Sequence, residues 1–119
     1  MSDQRNLVPK GAVVAALAIH APRPEHRADW IAVMQQVGAT SRDKAGCLGS
    51  VGFRDLNSDR LVAVSYWESE AALGQVLPAA VAGATALDER WGAAPTDVFV
   101  LRPLQDRGSE ACPARRVRS

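Results

Sequence analysis

The sequence contains few of the side chains that usually build metal or redox centres. Its 119 residues include 2 cysteines, 2 histidines and 1 tyrosine, and aromatic residues make up 5% of the chain. Cys47 and Cys112 lie far apart, and neither has partners at the spacing of a zinc site or a disulfide framework. No glycine-rich phosphate loop follows a predicted strand. These absences predict no metal and no cofactor.

Charge of one sign and long apolar runs are also lacking. The net charge is +1, which implies no general attraction to nucleic acid. The longest apolar run, from Ala12 to Ile19, is shorter than the roughly 18 residues that mark a candidate membrane span. The sequence does not begin with a secretion leader and cleavage site. We therefore expect a cytoplasmic protein that binds neither nucleic acid nor membrane.

The first half of the chain shows a strand pattern and then a helix pattern. Residues 1–10 are polar and are typical of a flexible N-terminal arm. Gly11 to His20 is almost continuously apolar, as in a strand covered on both faces, and the prolines that follow end it. The segment from Glu25 to about Arg42 carries an apolar stripe at helical spacing, formed by Trp30, Val33, Met34 and Val37.

The middle of the chain, from Gly46 to Trp67, predicts two strands joined by a tight turn. Asn57, Ser58 and Asp59 are residue types that bond their own backbone in turns. Side chains of a strand alternate between two faces. One face is therefore expected to carry Leu61, Ala63, Ser65 and Trp67, and the other Val62, Val64 and Tyr66.

The last third of the sequence predicts two helical segments and a strand. Ser69 is typical of a helix N-cap, and the helix is expected to run to Leu77, where Pro78 interrupts it. A further helix from Ala79 to Trp91 would end at the Gly92–Pro95 loop, before a strand from Thr96 to Leu101. Residues 105–119 are polar and arginine-rich, which predicts a disordered tail and leaves 11–104 as one domain.

The element order β-α-β-β-α-β predicts an α+β, ferredoxin-like domain with a four-stranded antiparallel sheet. With both helices on one side of the sheet, the opposite face would be bare. That face, set either by Val62, Val64 and Tyr66 or by Val14 and Ala16, would be too apolar to remain in water. An apolar patch of this kind usually marks an interface, so the sequence predicts a homodimer that packs sheet against sheet.

Few residues are candidates for catalysis. His20 and His26 flank the first loop, and His20 ends a strand, so it is the candidate base near neutral pH; a solvated strand end is the alternative. Trp30 and Trp91 lie on the apolar stripes of helices and are expected to belong to the core or to line a ligand pocket. Asp88 is typical of a solvent-facing helix side.

The run GCLGSVGFRD, followed by DRLVAVSYWESEAAL, resembles the antibiotic biosynthesis monooxygenase family of dimeric α/β-barrel proteins. The resemblance extends roughly from Ala12 to Leu104. It implies a small-ligand site between sheet and helices, with Trp67 lining it beside Ser65, Trp30 and Trp91. Trp67 would stack on the substrate or stabilise an anionic intermediate through its indole N–H. The alternative is that Trp67 is a large core residue.

Three positions depart from the pattern of active relatives. Relatives that form quinones carry an asparagine where Ala63 stands here and a tyrosine where Leu73 stands. Haem-degrading relatives carry a histidine ligand where Leu77 stands and an asparagine in the first strand, which this chain lacks. A haem-degrading oxygenase is therefore the least favoured function, and we expect no Soret band when haemin is added.

The resemblance implies a cofactor-independent monooxygenase that acts on an aromatic, polyketide-like phenol. Trp67 and His20 would be its catalytic residues, His20 as the base. A second possibility of a different class is a non-catalytic domain of the same fold that binds a small aromatic ligand or serves a structural role. That domain would offer an apolar pocket without polar groups converging on the ligand.

Overall fold

The computed structural model describes residues 8–104. Two helices and four strands follow one another in the order β1, α1, β2, β3, α2, β4, with a short 3-10 helix at Pro24–His26 ahead of α1. The bounds are Val14–Pro22 for β1, Arg27–Arg42 for α1, Cys47–Arg54 for β2, Leu61–Trp67 for β3, Glu70–Trp91 for α2 and Gly92–Leu101 for β4.

The strands form one antiparallel sheet in the order β2-β3-β1-β4, which confirms the predicted ferredoxin-like fold. The two central strands, β1 and β3, pair Val14 with Trp67 and His20 with Leu61. A core cluster of Val14, Trp67 and Leu73 joins the sheet to α2. The odd-numbered residues of β3 and the even-numbered residues of β1 therefore face the helices. Of the two predicted alternatives for the bare face, Val62 and Val64 are right, and Val14 and Ala16 are wrong because Val14 packs against α2.

The hairpin between β2 and β3 forms where the sequence predicts it. Asp55 accepts hydrogen bonds from the Asn57 backbone N–H at 2.9 Å and from the Ser58 hydroxyl at 2.7 Å. These two bonds, that of Asn57 first, hold the pKa of Asp55 below its ordinary value. At the other end Gly46 has φ +84°, and a Cβ there would lie 2.5 Å from the Cβ of Ala72, so glycine is required.

The first strand is shifted relative to the prediction. It begins at Val14 instead of Gly11, because Gly11 adopts φ +88° in a turn closed by the Ala12 N–H and the Pro9 carbonyl, 3.1 Å apart. It extends beyond His20 because Ala21 and Pro22 still pair with β4. Pro22, which was expected to end the strand, is instead its last paired residue, opposite Gly92 of β4.

The predicted interruption of α2 at Pro78 is wrong, because α2 is one helix of 22 residues with Pro78 inside it. Proline removes the one backbone bond to residue 74 and crowds the carbonyl there. The Ser69 side chain does cap this helix, accepting a bond from the Ala72 N–H at 3.0 Å. By length and composition α2 is long and apolar enough to cross a membrane, but one such helix is weak evidence that it does so.

The predicted loop between α2 and β4 is also wrong, since β4 begins directly at Gly92. Gly92 pairs with Pro22 and Ala94 with Ala21, so the segment extends the edge strand. Arg23 fixes this junction by donating to the Gly92 carbonyl at 3.2 Å and to the Arg90 carbonyl at 2.7 Å. The predicted N-terminal arm lies mostly, and the predicted tail at 105–119 wholly, outside the described residues.

Candidate functional site

The helix-facing side of the sheet has small side chains at its centre. Ala18 of β1 pairs with Ala63 of β3, and Ala16 pairs with Ser65. All four are only half-buried, although they lie on the two central strands. On the neighbouring β4, Val98 and Val100 pair with the same alanines and are 37% and 54% exposed. The helices therefore leave an apolar strip of the sheet incompletely covered over β1 and β4, here called the cleft, and His20 and Trp67 lie at its opposite ends.

At one end of the cleft, Trp67 is part of the core. It is 1% exposed and packs in the cluster with Val14 and Leu73. Its indole N–H donates to the Ser65 hydroxyl oxygen at 2.8 Å. The donor that was expected to face a ligand is thus already bonded within the protein, and Ser65 serves as its acceptor.

At the other end, His20 is a buried imidazole on the last part of β1, 8% exposed. Its Nδ1 lies 3.0 Å from the Thr96 hydroxyl oxygen on β4. Burial lowers the pKa of His20 below its ordinary value, and the Asp88 carboxylate opposes this effect more weakly. His20 is therefore mainly neutral at pH 7, which is the form that can accept a proton.

Asp88 and Thr96 are the site residues that sequence reasoning missed. Asp88 is half-buried near the end of α2. Its Oδ1 accepts from the Thr96 hydroxyl at 2.7 Å and its Oδ2 from the Thr96 N–H at 2.8 Å. Their spacing of eight residues, across a predicted loop, gave no signal for this contact. Only the early start of β4 brings Thr96 back beside the helix end.

Trp30 on α1 covers His20. Its ring centroid lies 5.1 Å from that of His20, with the two planes tilted by 42°. Trp30 is 0% exposed, and its buried indole N–H has no hydrogen-bond partner within the described part of the protein. A buried unpaired donor costs roughly 1–3 kcal/mol. A buried donor without a partner among the described residues therefore lies on the ring that covers the neutral His20.

Trp91 belongs to a separate cluster at the surface. It is half-buried at the end of α2, and its ring stacks on His26 at a centroid distance of 5.7 Å and an angle of 15°. The Arg90 guanidinium lies 4.9 Å from the Trp91 ring centroid. His26 also lies 3.3 Å from the Asp29 carboxylate in an exposed pair. These contacts account for Trp91 and His26 without a ligand.

The structure does not bring the two predicted catalytic residues together. Val14, which is paired with Trp67, and His20 are six positions apart on β1. At about 3.3 Å per residue they are separated by about 20 Å. The candidate site consequently centres on His20, Trp30, Thr96 and Asp88. A separate shallow cleft of about 320 Å³, lined by Pro24, Arg27, Ala28, Ile31 and Arg54, contains none of the predicted residues.

Comparison with known proteins gives both a family match and structural similarity. The family model of antibiotic biosynthesis monooxygenases matches residues 12–77. The fold is similar to that of Rv0793 from Mycobacterium tuberculosis, with TM-score 0.68 and 24% identity over 80% of this chain and 98% of that chain. PA3566 from Pseudomonas aeruginosa has TM-score 0.66 and 19% identity over 79% of this chain and 96% of that chain.

A third similar structure is that of SnoaB, a cofactor-independent oxygenase from Streptomyces nogalater, in a mutant form. Its TM-score is 0.64, with 19% identity over 78% of this chain and 94% of that chain. No curated protein matches the sequence. At these identities the similarities of structure establish the fold.

Proposed function

Because the chain belongs to the antibiotic biosynthesis monooxygenase family, with residues 12–77 matched, we propose that it oxygenates an aromatic, polyketide-like phenol without a cofactor. The observation that carries this proposal is the buried His20. Its burial lowers its pKa, so it is neutral near pH 7, and its Nδ1 is occupied by Thr96. Its other ring nitrogen, Nε2, is then the atom that accepts the phenol proton.

The reaction needs a substrate that supplies the electrons, because no protein side chain here reduces dioxygen. His20 Nε2 takes the phenol proton, and the resulting electron-rich phenolate transfers an electron to dioxygen. Recombination forms a carbon–oxygen bond, and the proton held by His20 returns to the peroxide to give a substrate hydroperoxide. Loss of water breaks the O–O bond and leaves a quinone, so that one phenol and one dioxygen become one quinone and one water.

The protein's contribution is to orient the phenol and stabilise its anion. The half-buried alanines and the exposed valines of the cleft offer an apolar surface for a flat aromatic body. The buried Trp30 N–H, which has no partner among the described residues, would donate to the phenolate oxygen, and because Trp30 is 0% exposed its ring must shift when the phenol binds beside His20. In this proposal Trp30 takes the donor role that the family resemblance implies for Trp67.

A second candidate is a binding protein of the same fold without redox chemistry. It is favoured by the core position of Trp67, whose N–H is bonded to Ser65, and by alanine and leucine at Ala63 and Leu73. Such a protein would bind the same phenols in the cleft but leave them unchanged.

We also propose that the working unit is a homodimer. The sheet face opposite the helices is apolar, and several of its side chains are exposed in the single chain. These are Val13, Val51, Phe53, Phe99 and Leu101. A second copy of the chain packed on this face would cover them.

Oxygen uptake by the metal-free protein, measured with a panel of anthrone- and naphthol-type phenols, tests the proposed activity. We expect uptake without added cofactor, with kcat reduced in His20→Ala by about 10²- to 10⁴-fold, the usual contribution of a general base. His26→Ala is the matched control, because His26 lies in an exposed pair with Asp29. Phenol binding without uptake across the panel would favour the binding protein instead.

A further inference from the structure

The hydrogen bonds around Thr96 have a fixed direction. An ionised carboxylate only accepts hydrogen bonds, so the Thr96 hydroxyl, 2.7 Å from Asp88 Oδ1, must donate its single proton to Asp88. The hydroxyl oxygen can then only accept from His20 Nδ1, which lies 3.0 Å away. The chain of bonds therefore runs from His20 through Thr96 to Asp88, with the proton of His20 on Nδ1.

This direction determines which nitrogen of His20 is basic. In neutral histidine one ring nitrogen carries the proton and the other has the free lone pair. We propose that Asp88, acting through Thr96, is a positioning residue that holds His20 in the Nδ1–H form and so makes Nε2 its proton acceptor. The catalytic consequence rests on the proposed function, but the tautomer itself does not.

The arrangement joins three elements that are distant in sequence. Asp88 lies on α2, Thr96 on β4 and His20 on β1, 76 residues before Thr96. From the other elements, Leu61 of β3 is the cross-strand partner of His20 and the Trp30 ring of α1 packs against its imidazole. Asp88 is the charged group that acts on His20 within the described residues.

A purely structural explanation makes a different prediction. Asp88 also accepts from the Thr96 backbone N–H at 2.8 Å, which by itself would close the tight passage from α2 to β4. If that were its sole role, replacing the Thr96 hydroxyl would alter stability but leave the tautomer of His20 unchanged.

The test is ¹⁵N NMR of the histidine side chains in the full-length protein without substrate. The chain has 2 histidines, so His26 serves as an internal reference in every spectrum. In the wild type we expect His20 to be neutral and protonated on Nδ1 at pH 7. In Thr96→Val, which is similar in shape, we expect the proton to move to Nε2, and in Thr96→Ser to stay on Nδ1.

Asp88→Asn separates charge from hydrogen bonding. The single amide oxygen can accept from the Thr96 hydroxyl, with loss of the bond from the Thr96 N–H, and in that orientation we expect the Nδ1–H form to persist. The pKa of His20 should fall further, because the carboxylate that raises it is lost. If Thr96→Val folds poorly, Thr96→Ala removes the same hydroxyl with a smaller side chain, and there too we expect the proton to move to Nε2.

Two outcomes would overturn the inference, namely an Nε2–H form in the wild type or an unchanged tautomer in folded Thr96→Val. With an active phenol, Thr96→Val should lower kcat/KM by about ten- to a hundredfold, part of the roughly 10²- to 10⁴-fold effect of a base. Oxygen uptake that persists with an unchanged tautomer would retain the proposed function and reject this inference. A tautomer that changes as expected in Thr96→Val, without oxygen uptake from any phenol of the panel, would reject the proposed function and retain this inference.

Discussion

His20 Nδ1 and the Thr96 hydroxyl oxygen lie 3.0 Å apart, although 76 positions separate the two residues in the chain. This contact links the end of β1 to the edge strand β4 and fixes a buried imidazole between them. Because burial lowers the pKa of His20, the residue affects both stability and proton transfer as the pH changes.

The first prediction concerns the stability of the protein in mild acid. The unfolded chain binds a proton at His20 near the ordinary pKa of about 6.5, whereas the folded chain binds it only at lower pH. Between these two pKa values the unfolded state holds more protons, so the free energy of unfolding falls as the pH falls below about 6.5. Urea denaturation at about pH 7.5 and about pH 5.5 measures this loss.

The control variants assign the loss to one histidine. His20→Gln should reduce the difference in the free energy of unfolding between the two pH values. His26→Gln, which changes the exposed pair with Asp29, should retain that difference. An equal loss of stability in the wild type and in His20→Gln would show that other groups titrate instead.

The second prediction concerns the Trp67–Ser65 pair. Ser65→Ala leaves the Trp67 N–H without its acceptor in a side chain that is 1% exposed. An unsatisfied buried donor costs roughly 1–3 kcal/mol, and the free energy of unfolding should fall by that amount. In a Trp67→Phe background the same change should cost less than about 0.5 kcal/mol, because the donor is gone. Equal costs in both backgrounds would contradict a shared hydrogen bond.

Much of the fold could be predicted because its signals are local. The alternation from Leu61 to Trp67 assigns each side chain to a face, and the Asn57–Ser58 turn fixes the register of the hairpin. Ser69 gives the start of α2 through a bond to a residue three positions away. Such patterns need no knowledge of the rest of the chain.

The candidate site could be predicted only in part, because it depends on contacts across the sequence. His20 was identified by its residue type and its place at a strand end. Its partners Thr96 and Asp88 were not, since the early start of β4 at Gly92 follows from pairing with Pro22 and Ala21. The family resemblance implied a ligand-facing N–H for Trp67, and alternation along the strand could not show that Ser65 is its acceptor.

The third prediction concerns Pro78, whose effect on α2 was overestimated from the sequence. Pro78 is exposed in the interior of the helix, where it removes the backbone bond to the Gly74 carbonyl. Pro78→Ala should therefore raise the free energy of unfolding by about 1–3 kcal/mol, after the greater entropy of the unfolded chain is deducted. Gln75→Ala, at an exposed position of the same helix, should change it by less than about 0.5 kcal/mol. No gain in Pro78→Ala would mean that the helix already compensates for the lost bond.

The fourth prediction concerns the proposed homodimer and uses the apolar sheet face. Phe99 is 46% exposed there, on the face that also carries Leu17, its partner in β1. Burying a lysine without a partner in an apolar interface is costly, so Phe99→Lys should convert the dimer to a monomer. Sedimentation equilibrium should give twice the chain mass of 12.7 kDa for the wild type and the single mass for this variant.

The control variant is Val81→Lys, at a side chain of α2 that is 41% exposed. It should remain dimeric because Val81 lies on the helix layer. A wild type that sediments as a monomer would leave the sheet face uncovered and contradict the proposal, whereas a dimer that persists in Phe99→Lys would place the interface elsewhere.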